Sequence, residues 1–178
     1  MDDRDDELDP EEYEGEDDEG EDGLVLVHCS LLALYSLVWS LHWSAKGDPS
    51  YGDHLLWERA TKTVRKDVDR VAELVASVYE AEVLDPAMTL PRVVEILQAN
   101  AEDMEHPVAR ALVLVRHVIE LVEEVHNTDL QDELAAQNVL AGVADHLNEI
   151  EYLAQQRLGG PAAAGAIIDQ EIRERRGH

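Results

Sequence analysis

Apolar residues recur at steps of three and four along most of this chain, a spacing typical of helices that bury one face. The third such segment shows the pattern at Val108, Leu112, Val115, Ile119 and Val122. Glycine and proline residues mark where the segments end. The pattern predicts four long helices, over about residues 24–46, 50–81, 107–125 and 130–158.

A long connection separates the second predicted helix from the third. Pro86 and Pro91 are expected to break the chain there, and residues 91–103 then have helical spacing of their own. Long links between the helices of a bundle are crossovers, whereas short links join antiparallel neighbours. This order of helices, short links and one long link predicts an all-α, ferritin-like four-helix bundle over residues 24–159, with a short helix in the crossover. Residues 160–178 are expected to form an extension with a linker and one short helix.

Composition supports an all-helical chain, because 45% of the residues are hydrophobic but only 4% are aromatic. The formal net charge is -26, and residues 1–23 hold fifteen Asp and Glu against Arg4 alone. Such a segment is too polar to fold by itself, so we predict an acidic disordered tail. The negative charge disfavours binding to DNA, which depends on Lys and Arg. The three lysines, eleven arginines and lack of Phe fit either a GC-rich genome or a high-salt cytoplasm.

The single cysteine, the acidic N-terminus and the longest apolar run together predict a cytoplasmic protein that does not bind membranes. Cys29 is the single cysteine, which excludes a disulfide framework and a cysteine zinc site. The acidic N-terminus is the opposite of a signal peptide's positively charged start. The most apolar run, residues 24–41, is interrupted by His28 and three serines.

Candidate metal ligands lie on the second predicted helix, opposite its valine face. A helical wheel puts four side chains on this outer face, namely His54, Glu58, Asp69 and Glu73. Solvated surface charges would give the same pattern. Glu58 and Asp69 are about 16 Å apart along the axis, so they cannot share one metal ion within a subunit.

Two copies of this helix can bring the ligands together. In an antiparallel pair about a two-fold axis, positions whose numbers have a constant sum face each other. His54 opposite Glu73 and Glu58 opposite Asp69 share the same sum, so each dimer would hold two equivalent sites. Lys62 would then oppose Arg65 near the axis, which is unfavourable unless the neighbouring carboxylates neutralise the pair.

His42 is expected to lie near the same site. It lies near the end of the first predicted helix, and a short link joins that helix to the second, so His42 would approach His54 and Glu58. A core or capping role is the alternative for this histidine. Carboxylates and imidazoles together suit Fe(II) or zinc.

These residues form three motifs that resemble the Dps family of mini-ferritins. They are HWSAKG at residues 42–47, HLLWE at 54–58 and DRVAE at 69–73. The resemblance extends to the last long helix and covers about residues 24–159. It implies a hollow homododecamer that oxidises Fe(II), preferably with hydrogen peroxide, and stores ferric mineral to protect against oxidative stress.

The resemblance also implies roles for individual residues. The ferroxidase ligands would be His42, His54, Glu58, Asp69 and Glu73, with zinc able to substitute for iron and with Trp43 as the aromatic residue beside the site. Glu58 stands where the family more usually has Asp. Glutamate has the longer side chain but the same carboxylate chemistry. Asp129, Asp132 and Glu133 correspond to the acids of the family's three-fold pores, although capping of a helix would also explain them. The family's DNA-binding members use Lys-rich tails, which the acidic tail does not resemble.

Two other functions remain alternatives. The chain would otherwise be a non-catalytic helical assembly or interaction module whose acidic tail binds a basic partner. A different di-metal four-helix enzyme would need inward-facing carboxylates on at least three helices, and the apolar stripes of the third and fourth helices leave no room for them. Glu123 and His126 form an ExxH motif without a counterpart on the first helix, so we interpret them as surface residues.

Overall fold

Helices account for all regular secondary structure in the part of the chain described by the computed structural model, residues 19–46, 50–128, 130 and 133–176. The helices are α1 (Glu19–Ser44), α2 (Ser50–Val78), α3 (Pro86–Asp103), α4 (Pro107–Thr128), α5 (Leu134–Arg157) and α6 (Pro161–Arg176). A short 3₁₀ turn, Ala81–Leu84, lies between α2 and α3. The prediction of an all-α protein is confirmed.

The largest differences from the predicted helix boundaries occur in three places. α1 begins at Glu19, five residues before the predicted start, and α5 begins at Leu134 rather than near 130. The prediction that Pro91 breaks the chain was wrong, because Pro91 lies inside α3. That helix starts earlier, with Pro86 in its first turn and with the Asp85 side chain accepting a hydrogen bond from the Ala87 amide at 2.7 Å. A side-chain acceptor and a first-turn proline are both favourable at a helix N-terminus.

The four long helices bury one shared apolar core. α1 contacts α2 and α4, and α5 contacts α4 and α2, while α3 packs on α1. The α2 and α5 helices run antiparallel, since Asp53 pairs with Arg157 and Asp67 pairs with His146. Fully buried side chains include Leu31, Leu34, Val64, Val71, Leu112, Leu140 and Leu147.

The C-terminal residues form a helix docked against the others. Gly159 and Gly160 have φ values of 93° and 99°, and this left-handed backbone turns the chain after α5. Ala164 and Ile168 of α6 are buried. The Glu171 carboxylate accepts hydrogen bonds from the backbone amides of Glu105 and His106, immediately before α4. The predicted short helix is therefore sixteen residues long and fixed in place by packing and hydrogen bonds.

The segment Gly23–Ser44 of α1 is long and apolar enough to span a membrane, judged by length and composition alone. Its most apolar window is 61% buried inside the structure. The core helix of a soluble protein has the same properties, so this segment is weak evidence for a membrane span.

Candidate metal centre

His42 and His54 form a closely associated pair where the end of α1 meets the start of α2. Their rings stack with centroids 4.0 Å apart and planes inclined by 29°. Each Nδ1 lies 3.2 Å from the backbone oxygen of the other histidine. A carbonyl oxygen can only accept, so both Nδ1 atoms donate. The pairing fixes the tautomer of both rings and leaves each Nε2 lone pair available to a metal ion.

Glu58 lies one helical turn beyond His54 and is half-buried. Its carboxylate accepts a hydrogen bond from Lys62 Nζ at 2.6 Å. This hydrogen bond and the Lys62 charge, followed by the nearby His42 and His54, lower the pKa of Glu58. Glu58 is therefore ionised at neutral pH and supplies a carboxylate next to the two imidazoles.

Trp43 borders the histidine pair on the outside. Its ring meets that of His42 edge-on, with centroids 4.9 Å apart and an angle of 74°. The Trp43 side chain is 69% exposed, and Trp39, one turn earlier on α1, is also exposed. Large exposed aromatic side chains that lie close together are typical of surfaces that contact another molecule.

Asp69 and Glu73 are exposed on α2 and lie apart from the histidines. The helix rise separates Glu58 from Asp69 by about 16 Å. Among the described residues, no group of three or more His, Cys, Asp and Glu side chains could hold a metal ion. The structure thus brings His42, His54 and Glu58 near one another without closing a complete site, and it leaves the other two acids elsewhere on the helix.

The predicted pore acids are described only in part. Asp129 and Asp132 lie outside the described residues. Glu133 is exposed and directly precedes α5, where its side chain makes no capping hydrogen bond. Although Glu133 makes no capping hydrogen bond, its charge lies at the positive end of the α5 dipole.

The structure contains a buried polar pair that sequence reasoning missed. Asp67 of α2 is fully buried, and its Oδ1 lies 2.8 Å from Nδ1 of the half-exposed His146 on α5. Burial raises the pKa of Asp67, and the hydrogen bond from His146 opposes this shift. Asp67 Oδ2 has no hydrogen-bond partner among the described residues, and the same holds for His28 Nδ1 and Ser30 Oγ. The available signal was the position of Asp67 beside the valine face of α2.

The ExxH residues of α4 line a shallow groove at the surface. Glu123 is exposed and His126 is half-buried, and Asp145 and Asn148 of α5 face them across a space of about 400 Å³. This agrees with their interpretation as surface residues.

Comparison with protein-family models, with curated proteins and with solved structures gives no match for this chain. Inferences about its function therefore depend on the geometry of the candidate site and on its three motifs.

Proposed function

We propose that the protein is an iron-sequestering mini-ferritin of the Dps type. It would oxidise Fe(II), preferably with hydrogen peroxide, at sites shared between two subunits and store the ferric product in a hollow shell. One observation carries the proposal: His42 and His54 hold each other in the tautomer that frees both Nε2 atoms, beside the ionised Glu58. Two oriented imidazoles and a carboxylate on a helix surface are an incomplete donor set for Fe(II) or zinc.

The arrangement of the helices supports the same proposal. The contacts connect α1, α2, α5 and α4 in a ring, and α3 lies in the long connection between α2 and α4. Such connectivity, with two short hairpins and one crossover, fits a ferritin-like four-helix bundle. Glu58 is half-buried, and Asp69 and Glu73 are exposed. All three carboxylates are therefore accessible to a second subunit.

A two-fold dimer would complete the donor set. With two α2 helices antiparallel, His54 and Glu58 of one subunit lie opposite Glu73 and Asp69 of the other, and each dimer has two equivalent sites. The absence of a complete cluster among the described residues of one chain fits a site shared in this way. Closure of the shell as a homododecamer follows from the family resemblance.

Fe(II) is the substrate of the proposed reaction. Two Fe(II) ions each lose one electron, and one hydrogen peroxide takes up both electrons with two protons to give two waters. Asp69 and Glu73 would anchor the iron, Glu58 would bind it, and His42 and His54 would set the affinity. Carboxylate oxygens are hard ligands, so they favour Fe(III) over Fe(II) and assist the oxidation. Trp43 lies beside His42, where it would act as an electron donor or as a packed aromatic residue.

The remaining parts of the proposal concern access, partners and location. Asp129, Asp132 and Glu133 would attract Fe(II) to a three-fold pore, because an acidic channel concentrates cations. We place the protein in the cytoplasm. At a net charge of -26 it is not expected to bind DNA, and a plasmid gel shift at physiological salt would contradict this.

Replacement of two exposed acids tests the function directly. We expect the double variant Asp69→Ala, Glu73→Ala to lose rapid Fe(II) oxidation, followed by the absorbance of the ferric product. Its assembly, measured by native mass spectrometry, should be little changed, because neither substitution alters the apolar core of the chain. The matched control is Glu123→Ala, Asp145→Ala, which removes two exposed acids from α4 and α5. A variant at residues 69 and 73 that oxidises iron like the parent would refute the site.

The alternative is a non-catalytic helical assembly or interaction module whose acidic tail binds a basic partner. The exposed aromatic residues Trp39, Trp43 and Tyr51 favour a contact surface of this kind. Iron distinguishes the two functions, because an interaction module would take up no iron on aerobic or peroxide-driven loading.

A further inference from the structure

α2 carries a concentration of positive charge in an otherwise acidic protein. Five of the fourteen Lys and Arg residues of the chain lie between residues 59 and 70, namely Arg59, Lys62, Arg65, Lys66 and Arg70. Three of them line a groove of about 650 Å³, together with Val68, Asp69 and Ala72. We call this the basic groove, and define it by Lys62, Arg65 and Lys66.

The cations of the basic groove are only partly neutralised. Lys62 pairs with Glu58 at 2.6 Å, and its side chain remains 71% exposed. Arg65 and Lys66 are exposed, and neither makes a hydrogen bond or an ion pair with any described residue. Asp69 is the one acid that lines the groove within the described part of the chain. The groove therefore has an excess of positive charge that is open to an anionic segment.

The N-terminal segment of the chain has the complementary charge. Residues 1–18 contain twelve Asp and Glu and a single basic residue, Arg4. They join the described structure at Glu19, the first residue of α1. Outside residues 1–23, no segment of comparable length in this sequence has so large an excess of acids.

The start of α1 lies near the basic groove. α1 runs antiparallel to α2, because His42 bonds to the backbone of His54 and the His28 ring lies next to the backbone of Val68. The same register sets Glu19 at about the level of Ser77, which is roughly 18 Å along the axis from Arg65. Eighteen residues can span up to about 60 Å, so the segment reaches the groove easily.

The arginines of α6 are a less suitable target. Arg157, at the end of α5, pairs with Asp53 at the start of α2, so α6 begins at the opposite end of α2 from Glu19. Arg175 already contacts Glu105 at 3.6 Å, and Glu171 and Glu174 lie on the same helix.

We propose that the acidic segment 1–18 binds the basic groove on α2 of the same chain. The connection through α1 keeps the segment at a high local concentration, so weak individual ion pairs suffice for binding. Bound carboxylates would neutralise Lys62 and Arg65 on the same surface that carries the candidate metal ligands. The inference does not depend on iron and concerns the single chain. Lys62 and Arg65 lie on the face of α2 that the proposed dimer would cover, so the segment and a second subunit would compete for this face.

Zero-length carbodiimide cross-linking of the full chain tests this contact. The reagent joins lysines to carboxylates that touch them, and the chain has only three lysines: Lys46, Lys62 and Lys66. At low salt we expect residues 1–18 to be linked to Lys62 or Lys66, and the yield to fall at 0.5 M salt as screening increases. Lys46, exposed beyond the far end of α1, is the internal control and should give few links to this segment.

Mixing ¹⁵N-labelled and unlabelled protein separates links within one chain from links between chains. The proposal would be overturned if the links formed mainly between chains, or if links to Lys46 were as frequent as those to Lys62 and Lys66. It would also be overturned if residues 1–18 formed no links to Lys62 or Lys66. The variant Arg65→Gln retains both groove lysines and should lower the yield about two- to five-fold, as expected for one surface ion pair. The matched control Arg173→Gln should leave the yield unchanged. An equal yield from both variants would also overturn the proposal.

Discussion

Glu171 provides a quantitative test of how α6 is held in place. Its carboxylate accepts hydrogen bonds from the amides of Glu105 at 2.7 Å and His106 at 3.1 Å. These amides precede Pro107, so a side chain from a distant helix acts as an acceptor at the N-terminus of α4. The negative charge also lies at the positive end of the α4 dipole.

Glu171→Ala removes both hydrogen bonds and the charge. Loss of an N-terminal acceptor costs about 1–2 kcal/mol, and the partial exposure of this contact argues against a larger value. For a chain of this size, such a loss lowers Tm by about 2–8 °C. Glu171→Gln retains an acceptor oxygen but loses the charge, so its effect should be intermediate.

Thermal unfolding followed by circular dichroism would measure these shifts. Amide hydrogen exchange should also increase in residues 161–176, because α6 loses its attachment to α4. Glu174→Ala is the matched control, since Glu174 is an exposed acid of the same helix and, among the described residues, accepts a hydrogen bond only from Gln170. Equal Tm values for the Glu171→Ala and Glu174→Ala variants would refute the role assigned to Glu171.

Two further predictions concern buried charge and metal affinity. Burial raises the pKa of Asp67 above its ordinary value of 3.8. As the pH rises from 3.8 through the raised pKa, ionisation of this carboxyl therefore destabilises the folded state. The Asp67→Asn variant lacks this ionisation. Urea unfolding at several pH values should show that its free energy of unfolding increases relative to that of the parent over this pH range. If the free energies of unfolding of variant and parent change with pH in parallel, the prediction is contradicted. For the metal site, His42→Ala and His54→Ala should each weaken Zn(II) binding about 10- to 100-fold in calorimetry, because each removes one of the two imidazole ligands. His117→Ala, an exposed histidine on α4, should bind Zn(II) like the parent.

Local periodicity was enough to predict the long helices. The valine and leucine spacing of α2 and α4 located both within a few residues, because each helix buries one continuous apolar face. The start of α1 was predicted too late because its first residues are acidic, and such residues are favoured in the first turn of a helix. Docking of α6 depends on contacts with residues more than sixty positions away, such as Glu171 with Glu105, and no local pattern encodes them.

In the candidate site, too, contacts between residues near each other in sequence were predictable, and contacts between distant residues were not. The short link between α1 and α2 predicted that His42 approaches His54, since the ends of a hairpin must meet. The reciprocal hydrogen bonds that fix both imidazoles require backbone coordinates. Asp67 and His146 are 79 positions apart, and their pairing depends on the register of α2 against α5.

The charges on α2 connect assembly with metal binding. Lys62 neutralises Glu58 in the single chain, so a metal ion that binds Glu58 competes with an ammonium group held at 2.6 Å. In the proposed dimer Lys62 also approaches Arg65 of the second subunit, which is unfavourable until an anion lies between them. Asp69 and Glu73 of the second subunit would add negative charge next to Glu58, so pairing of the helices would help a metal ion to displace Lys62. Metal binding and pairing of the α2 helices should therefore stabilise each other.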